Sequence, residues 1–126
     1  MLNRESLLKC TLIVSGAGFL LIYPLAIVWP SGWSWHQGAP YESQYLMMII
    51  GVYATLGIFL IRASRHPQTN LSLIWFTIWS SLVHAGIMAV QSVNDAGHMG
   101  HLVGDVPALV FIAGVLAILV SAPQKA

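Results

Sequence analysis

The sequence predicts an all-α fold: a four-helix, up-down-up-down transmembrane bundle that forms a single domain, with both termini in the cytoplasm. Hydrophobic residues make up 57% of the 126 residues and charged residues only 7%, whereas a soluble domain carries about 25% charged residues. So few polar side chains cannot cover a globule in water, but a surface that faces lipid can be apolar. Four apolar stretches, each of about 20 residues as a membrane crossing requires, use most of the chain.

The four predicted spans are separated by two polar loops and one short turn. The first span runs from about residue 7 to 29, and Pro24 near its end can kink it. Its basic start resembles a signal peptide, but the apolar run exceeds the roughly 7–15 residues of a signal core, so we expect it to be retained. The other spans are expected at about 43–63, 71–92 and 105–121. Asn70 and Asp105 are the expected N-caps of the last two.

Charge predicts the topology. The basic residues all lie at the N-terminus, between spans two and three, or at the C-terminus: Arg4, Lys9, Arg62, Arg65 and Lys125. The other two loops lack Lys and Arg and hold Glu42, Asp95 and Asp105. Since positive loops stay in the cytoplasm, both termini are predicted there. We expect a multi-pass protein of the cell inner membrane.

Several function classes are disfavoured by composition. A net charge of +1 with scattered basic residues gives no field for nucleic acid. One cysteine, Cys10, excludes an intrachain disulfide and a multi-cysteine metal site. No Ser-His-Asp order, phosphate-binding glycine loop or paired carboxylates at catalytic spacing is present, so the sequence argues against an enzyme. The expected partners are the lipid bilayer and either other membrane subunits or further copies of the chain.

A histidine and aspartate cluster in the second polar loop is the first candidate site. His98, His101 and Asp105 follow the spacing H-x2-H-x3-D, which on a helix places all three on one side. Imidazole and carboxylate ligands suit a transition metal, and His84, deeper in span three, could be a fourth ligand. Against this, glycines in the loop disfavour a helix, and a histidine in an aqueous loop needs no partner.

His84 and Gln91 are the second candidate, as cofactor-binding residues on one stripe of span three. Ionisable residues inside a span usually face the bundle interior and are functional candidates. A structural hydrogen bond to Tyr45, Tyr53 or Glu42 is the alternative. Haem is a further possibility, because two histidines from different spans can ligate iron. His98 or His101 would then have to reach into the bundle.

Three segments resemble a known family: YLMMIIGVYATLGIFLIRASRHP from residue 45, SLIWFTIWSSLVHAGIMAVQS from residue 72, and GHLVGDVPAL from residue 100. The chain resembles a family of small bacterial four-span membrane proteins of unassigned function and, more distantly, the DoxX-like membrane proteins. The resemblance implies the four-span fold and a bacterial source. It favours His84, Gln91, His101 and Asp105 as site residues, but it implies no reaction.

Three functions are compatible with these observations. The first is a non-catalytic accessory subunit or binding module of a larger membrane complex. The second is a metal- or haem-binding redox protein that uses His84, His101 and Asp105, with His98 assisting. The third is a transporter of a small solute or protons, which would require oligomerisation because four short spans make a poor pathway.

Overall fold

The computed structural model describes residues 3–122, and within that range the chain is all-α, as predicted, with no strand. The described helices are α1 (Arg4–Leu20), α2 (Ile22–Val28), α3 (Pro30–Trp33), α4 (Gln44–Ala63), α5 (Leu71–Asn94) and α6 (Asp105–Ser121). Short 3-10 helices lie at Pro40–Glu42, Pro67–Thr69 and Ala96–Leu102. Lys125, one of the residues behind the predicted topology, lies outside the described range.

Three helical segments are long and apolar enough to cross a membrane: α4, α5, and α6 together with the 3-10 helix before it. The number rises to four if α1 and α2, which meet at an angle of 55°, count as one span. These helices occupy the four predicted apolar stretches. The chain therefore has the helices of a small multi-pass membrane protein, while a fourth crossing and cytoplasmic termini stay predictions.

The bend between α1 and α2 follows from Pro24. Proline has no N–H to donate to the carbonyl of residue i−4, and its ring pushes that carbonyl away. Residue i−4 is Leu20, which is the last residue of α1. Regular helical hydrogen bonds are present again after Pro24, where the Leu25 N–H donates to the Leu21 carbonyl at 3.0 Å. The first stretch is therefore two helices rather than one continuous helix.

The long helices form two packed pairs, α1 on α4 and α5 on α6, and the pairs meet where α1 contacts α6. Helices α1 and α4 cross closely at two glycines: a Cβ on Gly16 would lie 2.5 Å from the carbonyl oxygen of Gly57. Phe19 packs on Tyr53 one turn further along, so α1 and α4 run antiparallel. Such small residues allow close helix contact in lipid.

One end of the bundle holds Arg4, the connection at residues 63–71 and Ser121. We call it the terminal end, and we call the opposite end the loop end. The apolar core fills the terminal half, where side chains from all four long helices are buried, among them Leu12, Leu60, Ile78 and Leu116. Arg4 ties the two pairs together there: its Nε and Nη2 donate to the carbonyls of Leu119 and Val120 at 2.6 and 2.9 Å.

The two predicted N-caps have different outcomes. Asn70 occupies the N-cap position of α5, although its side chain makes no cap bond and donates to the His66 carbonyl instead. The prediction for Asp105 is wrong: Gly104 is the N-cap of α6 and Asp105 is its first residue. The Asp105 carboxylate does not cap the helix because it pairs with His101.

Candidate functional site

A cavity of about 690 Å³ lies between the α1/α4 pair and the α5/α6 pair, and it extends from the loop half along α1 as far as Leu7. Pockets that hold a small molecule have volumes of about 300–1,000 Å³, so this one is large enough for a ligand. Its wall is mostly apolar, with contributions from α1, α2, α4, α5 and α6.

The cavity opens sideways, toward the region that lipid would occupy. Val14 of α1 and Phe111 of α6 line the cavity and are also 70% and 71% exposed, so one opening lies between these helices. Ile49 of α4 and Ile87 of α5 also line the cavity and are exposed, which marks a second opening between that pair. If the bundle spans a bilayer, both openings face the hydrocarbon.

Polar side chains interrupt the apolar wall: the hydroxyls of Thr11 and Ser15 on α1, and Tyr53, His84, Gln91 and Asp105 on the other helices. The Tyr53 and His84 rings are half-buried and touch edge to face, with centroids 5.5 Å apart at 82°. Gln91 is exposed and lies on the same face of α5 near the opening beside Ile87. Tyr53, His84 and Gln91 make no side-chain hydrogen bond to any residue of the range 3–122.

The loop end of the cavity is closed by a roof, formed by residues 30–35 packed on the 3-10 helix Ala96–Leu102. Trp33 and Trp35 from this roof line the cavity. The Trp35 indole stacks on His101, with centroids 4.0 Å apart, and on His98 at 4.5 Å. His101 Nε2 also lies 3.2 Å from the carbonyl oxygen of Ser34. His101 thus fixes the roof segment by stacking and by a hydrogen bond.

His101 and Asp105 form a buried pair with a defined proton count. Nδ1 of His101 lies 2.9 Å from both carboxylate oxygens of Asp105. Because the Ser34 carbonyl can only accept, Nε2 must carry a proton. One further proton then lies between Nδ1 and the carboxylate, whichever group holds it. The pair therefore has no net charge, which suits a buried place where an unpaired ion would be very costly.

Local structure explains how these side chains meet. The loop glycines prevent an α-helix, as the sequence suggested, but residues 96–102 form a 3-10 helix. On a 3-10 helix, positions i and i+3 are eclipsed, so His98 and His101 still share one side and both reach Trp35. A Cβ on Gly104 would overlap the backbone of Gly32, so glycine is required where the roof crosses this segment.

The predicted metal ligands are only partly brought together. His101 and Asp105 bond directly to each other, while His98 is next to Asp95, with Nε2 3.5 Å from Oδ2. His84 faces the cavity. Among residues 3–122, no three His, Cys, Asp or Glu side chains are arranged to hold a metal ion. A transition-metal site at these residues therefore has no geometric support among residues 3–122, and haem ligation stays a prediction.

Some site residues were missed in the sequence. Tyr53 was considered as a hydrogen-bond partner of His84; the structure gives a ring contact instead, and a place on the cavity wall. Trp35 and the Ser34 carbonyl were not considered as partners of His101. The tryptophan cluster at positions 29, 33 and 35 was a usable signal, because so many large rings in a short loop need a surface to pack on.

Comparison with known proteins places the chain in a family. The model of a family of unknown function, DUF6632, matches residues 3–125. The chain belongs to this family. No curated protein and no solved structure matches it. The family match agrees with the resemblance to proteins of unassigned function, but nothing supports the more distant resemblance to DoxX-like proteins.

Proposed function

We propose that this protein is a non-catalytic binding module that takes a lipid-soluble molecule from the bilayer into the cavity between its two helix pairs. The observation that carries this proposal is the cavity itself: about 690 Å³ of space, an apolar wall and a few polar side chains. That combination is typical of sites for small molecules. Of the two roles expected from the sequence, accessory subunit and binding module, the cavity favours the second.

The openings support uptake from lipid rather than from water. Both are bordered by exposed apolar side chains, Val14 and Phe111 on one side and Ile49 and Ile87 on the other. The roof covers the loop end, and buried side chains from all four long helices pack together in the terminal half. A molecule dissolved in the membrane can reach the cavity without crossing either end of the bundle.

The other two functions have less support. A solute pathway would need a route through the terminal half, where Leu12, Leu60 and Leu116 are fully buried. A redox centre on a bound metal ion would need ligands that converge, and the described residues offer no group of three. A bis-histidine haem would need a second histidine beside His84, and His98 and His101 instead stack on Trp35. A partner complex stays a prediction; native mass spectrometry of the protein extracted in mild detergent would detect a bound subunit.

Photo-crosslinking in lipid nanodiscs tests the binding proposal. The probe is dodecanol with a diazirine in its chain, and unlabelled dodecanol is the competitor. We expect saturable labelling of cavity residues such as Val14 and Ile112, which line the site. Ile118, which is 71% exposed and outside the cavity wall, should be labelled only in a non-saturable manner.

A cavity-filling variant provides the control. Gly18 lines the cavity, and a Cβ there would meet no atom within 4 Å, so Gly18→Leu should fill the space without disturbing the fold. Gly51 on α4 is equally open but lies outside the cavity wall. We expect saturable labelling to disappear in Gly18→Leu and to persist in Gly51→Leu. Equal, non-saturable labelling in all three proteins would refute the proposal.

A further inference from the structure

The polar part of the cavity wall includes groups that can both donate and accept hydrogen bonds, and also the Trp35 indole N–H, a buried donor without a partner among residues 3–122. The Tyr53 hydroxyl and the His84 imidazole are half-buried and have no hydrogen-bond partner among residues 3–122. Gln91 adds an amide at the opening between α4 and α5. A polar group left without a partner in an apolar setting costs free energy. These groups therefore favour a ligand that supplies hydrogen bonds.

The same wall has no compensating charge for an ionic ligand. Within the described range, no Lys or Arg lines the cavity, and Asp105 is the sole carboxylate. Asp105 is bonded to His101 through both oxygens, and this pair is neutral as a unit. An anionic head group would find no Lys or Arg, and only a proton taken up by His84 could offset its charge. A cationic head group would have to break the His101–Asp105 pair.

We infer that the ligand of the cavity is a neutral amphipathic lipid, with an uncharged hydroxyl- or carbonyl-bearing head at Tyr53 and His84 and an apolar body along α1 and α6. This inference rests on the proposed binding function and specifies the chemical class of its ligand. The body has room beside apolar residues that also line the cavity: Val14, Gly18, Leu25, Ile112 and Val115. Ionised fatty acids and alkyl ammonium ions are disfavoured by the charge of their heads, because no Lys or Arg lines the cavity and its carboxylate is already paired.

A competition series with one chain length tests the inference. Saturable crosslinking of the diazirine dodecanol is measured against unlabelled dodecanol, laurate, dodecyltrimethylammonium and dodecane in the same nanodiscs. The nanodiscs are made of zwitterionic phosphatidylcholine, so that the bilayer itself adds no surface charge. We expect dodecanol to compete at least tenfold better than either ion, and better than dodecane, which has no head group.

The outcomes separate this inference from the proposed function. If laurate or dodecyltrimethylammonium competes as well as dodecanol, the inference about charge is wrong, although a saturable site remains. If dodecane competes equally, the head group is not recognised and the inference is again wrong. If no saturable labelling is found with wild type, the binding function itself fails, and the inference falls with it.

A tyrosine pair locates the head group. Tyr53→Phe keeps the ring that packs on Phe19 and His84 and removes only the hydroxyl. Tyr45 lies on the same helix, 79% exposed and outside the cavity wall. We expect dodecanol affinity to fall about threefold to tenfold in Tyr53→Phe and to stay unchanged in Tyr45→Phe, with dodecane unaffected in both. Equal affinities in wild type and Tyr53→Phe would overturn the placement of the head group.

Discussion

Both carboxylate oxygens of Asp105 lie 2.9 Å from Nδ1 of His101, and the two buried side chains share one proton. Through the other ring nitrogen, His101 reaches the Ser34 carbonyl, and its ring face supports Trp35. One pair thus joins the start of α6 to the roof of the cavity. Because the pair holds the roof onto α6, its loss should lower the stability of the protein and loosen the closure of the loop end.

Asp105→Asn tests that pair. An asparagine cannot take or share the proton at Nδ1, so a charge-assisted hydrogen bond is lost in a buried place. We expect a loss of about 1–3 kcal/mol in the free energy of unfolding, measured as a lower Tm in detergent. Asp95→Asn is the matched control, because Asp95 is exposed and asparagine can also accept at a helix start. Similar Tm values for both variants would contradict a special role for the pair.

The double variant His101→Phe/Asp105→Leu separates pairing from packing. Removing one partner leaves the other polar group buried and alone, whereas removing both restores an apolar interior. We expect the double variant to be more stable than the sum of the single losses predicts, with a coupling of about 0.5–3 kcal/mol. Strictly additive losses would show that the two residues act independently.

The crossing of α1 and α4 gives a second prediction. A Cβ on Gly16 would lie 2.5 Å from the Gly57 carbonyl oxygen, and backbone atoms cannot move aside as a flexible side chain can. We expect Gly16→Ala to lower the free energy of unfolding by about 1–3 kcal/mol through overpacking. Gly51→Ala, at an open helical position, should gain up to about 1 kcal/mol from helix propensity. Opposite signs in the two melting shifts are the expected result.

Arg4 is the subject of the third prediction. Its guanidinium donates from Nε and Nη2 to two carbonyls at the last turn of α6, groups that have no partner within the helix. We expect Arg4→Ala to cost about 1–3 kcal/mol and to speed amide hydrogen exchange in that last turn. Arg4→Lys should recover part of the loss, since one ammonium lacks the planar fork of the guanidinium.

Lys9→Ala is the control for the terminal end. Lys9 is also basic and lies on α1, but its partner Glu5 is on the surface, with Nζ 2.6 Å from Oε1. Exposed pairs of this kind contribute about 0–1 kcal/mol. If Lys9→Ala destabilised the protein as much as Arg4→Ala, general charge at this end rather than the Arg4 hydrogen bonds would be responsible.

The lengths of the apolar runs predicted the helical stretches well, because a helix that crosses a membrane needs about 20 apolar residues in succession. Helices α4, α5 and α6 begin and end within two residues of the predicted limits. The break after Leu20 was harder to place, although Pro24 signalled a kink, because proline disrupts the backbone four residues before itself. A search that applied this offset would have placed the break correctly.

The site was harder to predict because its contacts join residues far apart in the chain. The spacing of His98, His101 and Asp105 suggested a shared metal, but Asp105 pairs with His101 alone. Neither Ser34 nor Trp35, both more than sixty residues away, signals a histidine partner by its type. The cavity has no sequence signature at all, because it forms between two helix pairs whose residues are far apart in the chain. His84 and Gln91, chosen from the stripe on one span, do lie on its wall.

The orientation of the bundle in the membrane is the fourth prediction. In a Cys10→Ser background, single cysteines are placed at three exposed positions: Asn3, Gln37 and Arg65. Because Arg4, Arg62 and Arg65 gather at the terminal end, the positive-inside rule places that end in the cytoplasm. In intact cells, a membrane-impermeant maleimide should therefore label Gln37→Cys only, and all three variants should react after lysis.

The same experiment tests whether α1 and α2 together cross the membrane. If they do, Asn3→Cys and Arg65→Cys lie on one side and Gln37→Cys on the other. Labelling of Asn3→Cys together with Gln37→Cys, but not of Arg65→Cys, would mean that the bent pair does not cross and that only three spans exist. Labelling of Asn3→Cys and Arg65→Cys alone would keep four spans but invert the bundle. In that case the Arg4 and Arg62 charges would not control insertion, and the roof over the cavity would face the cytoplasm.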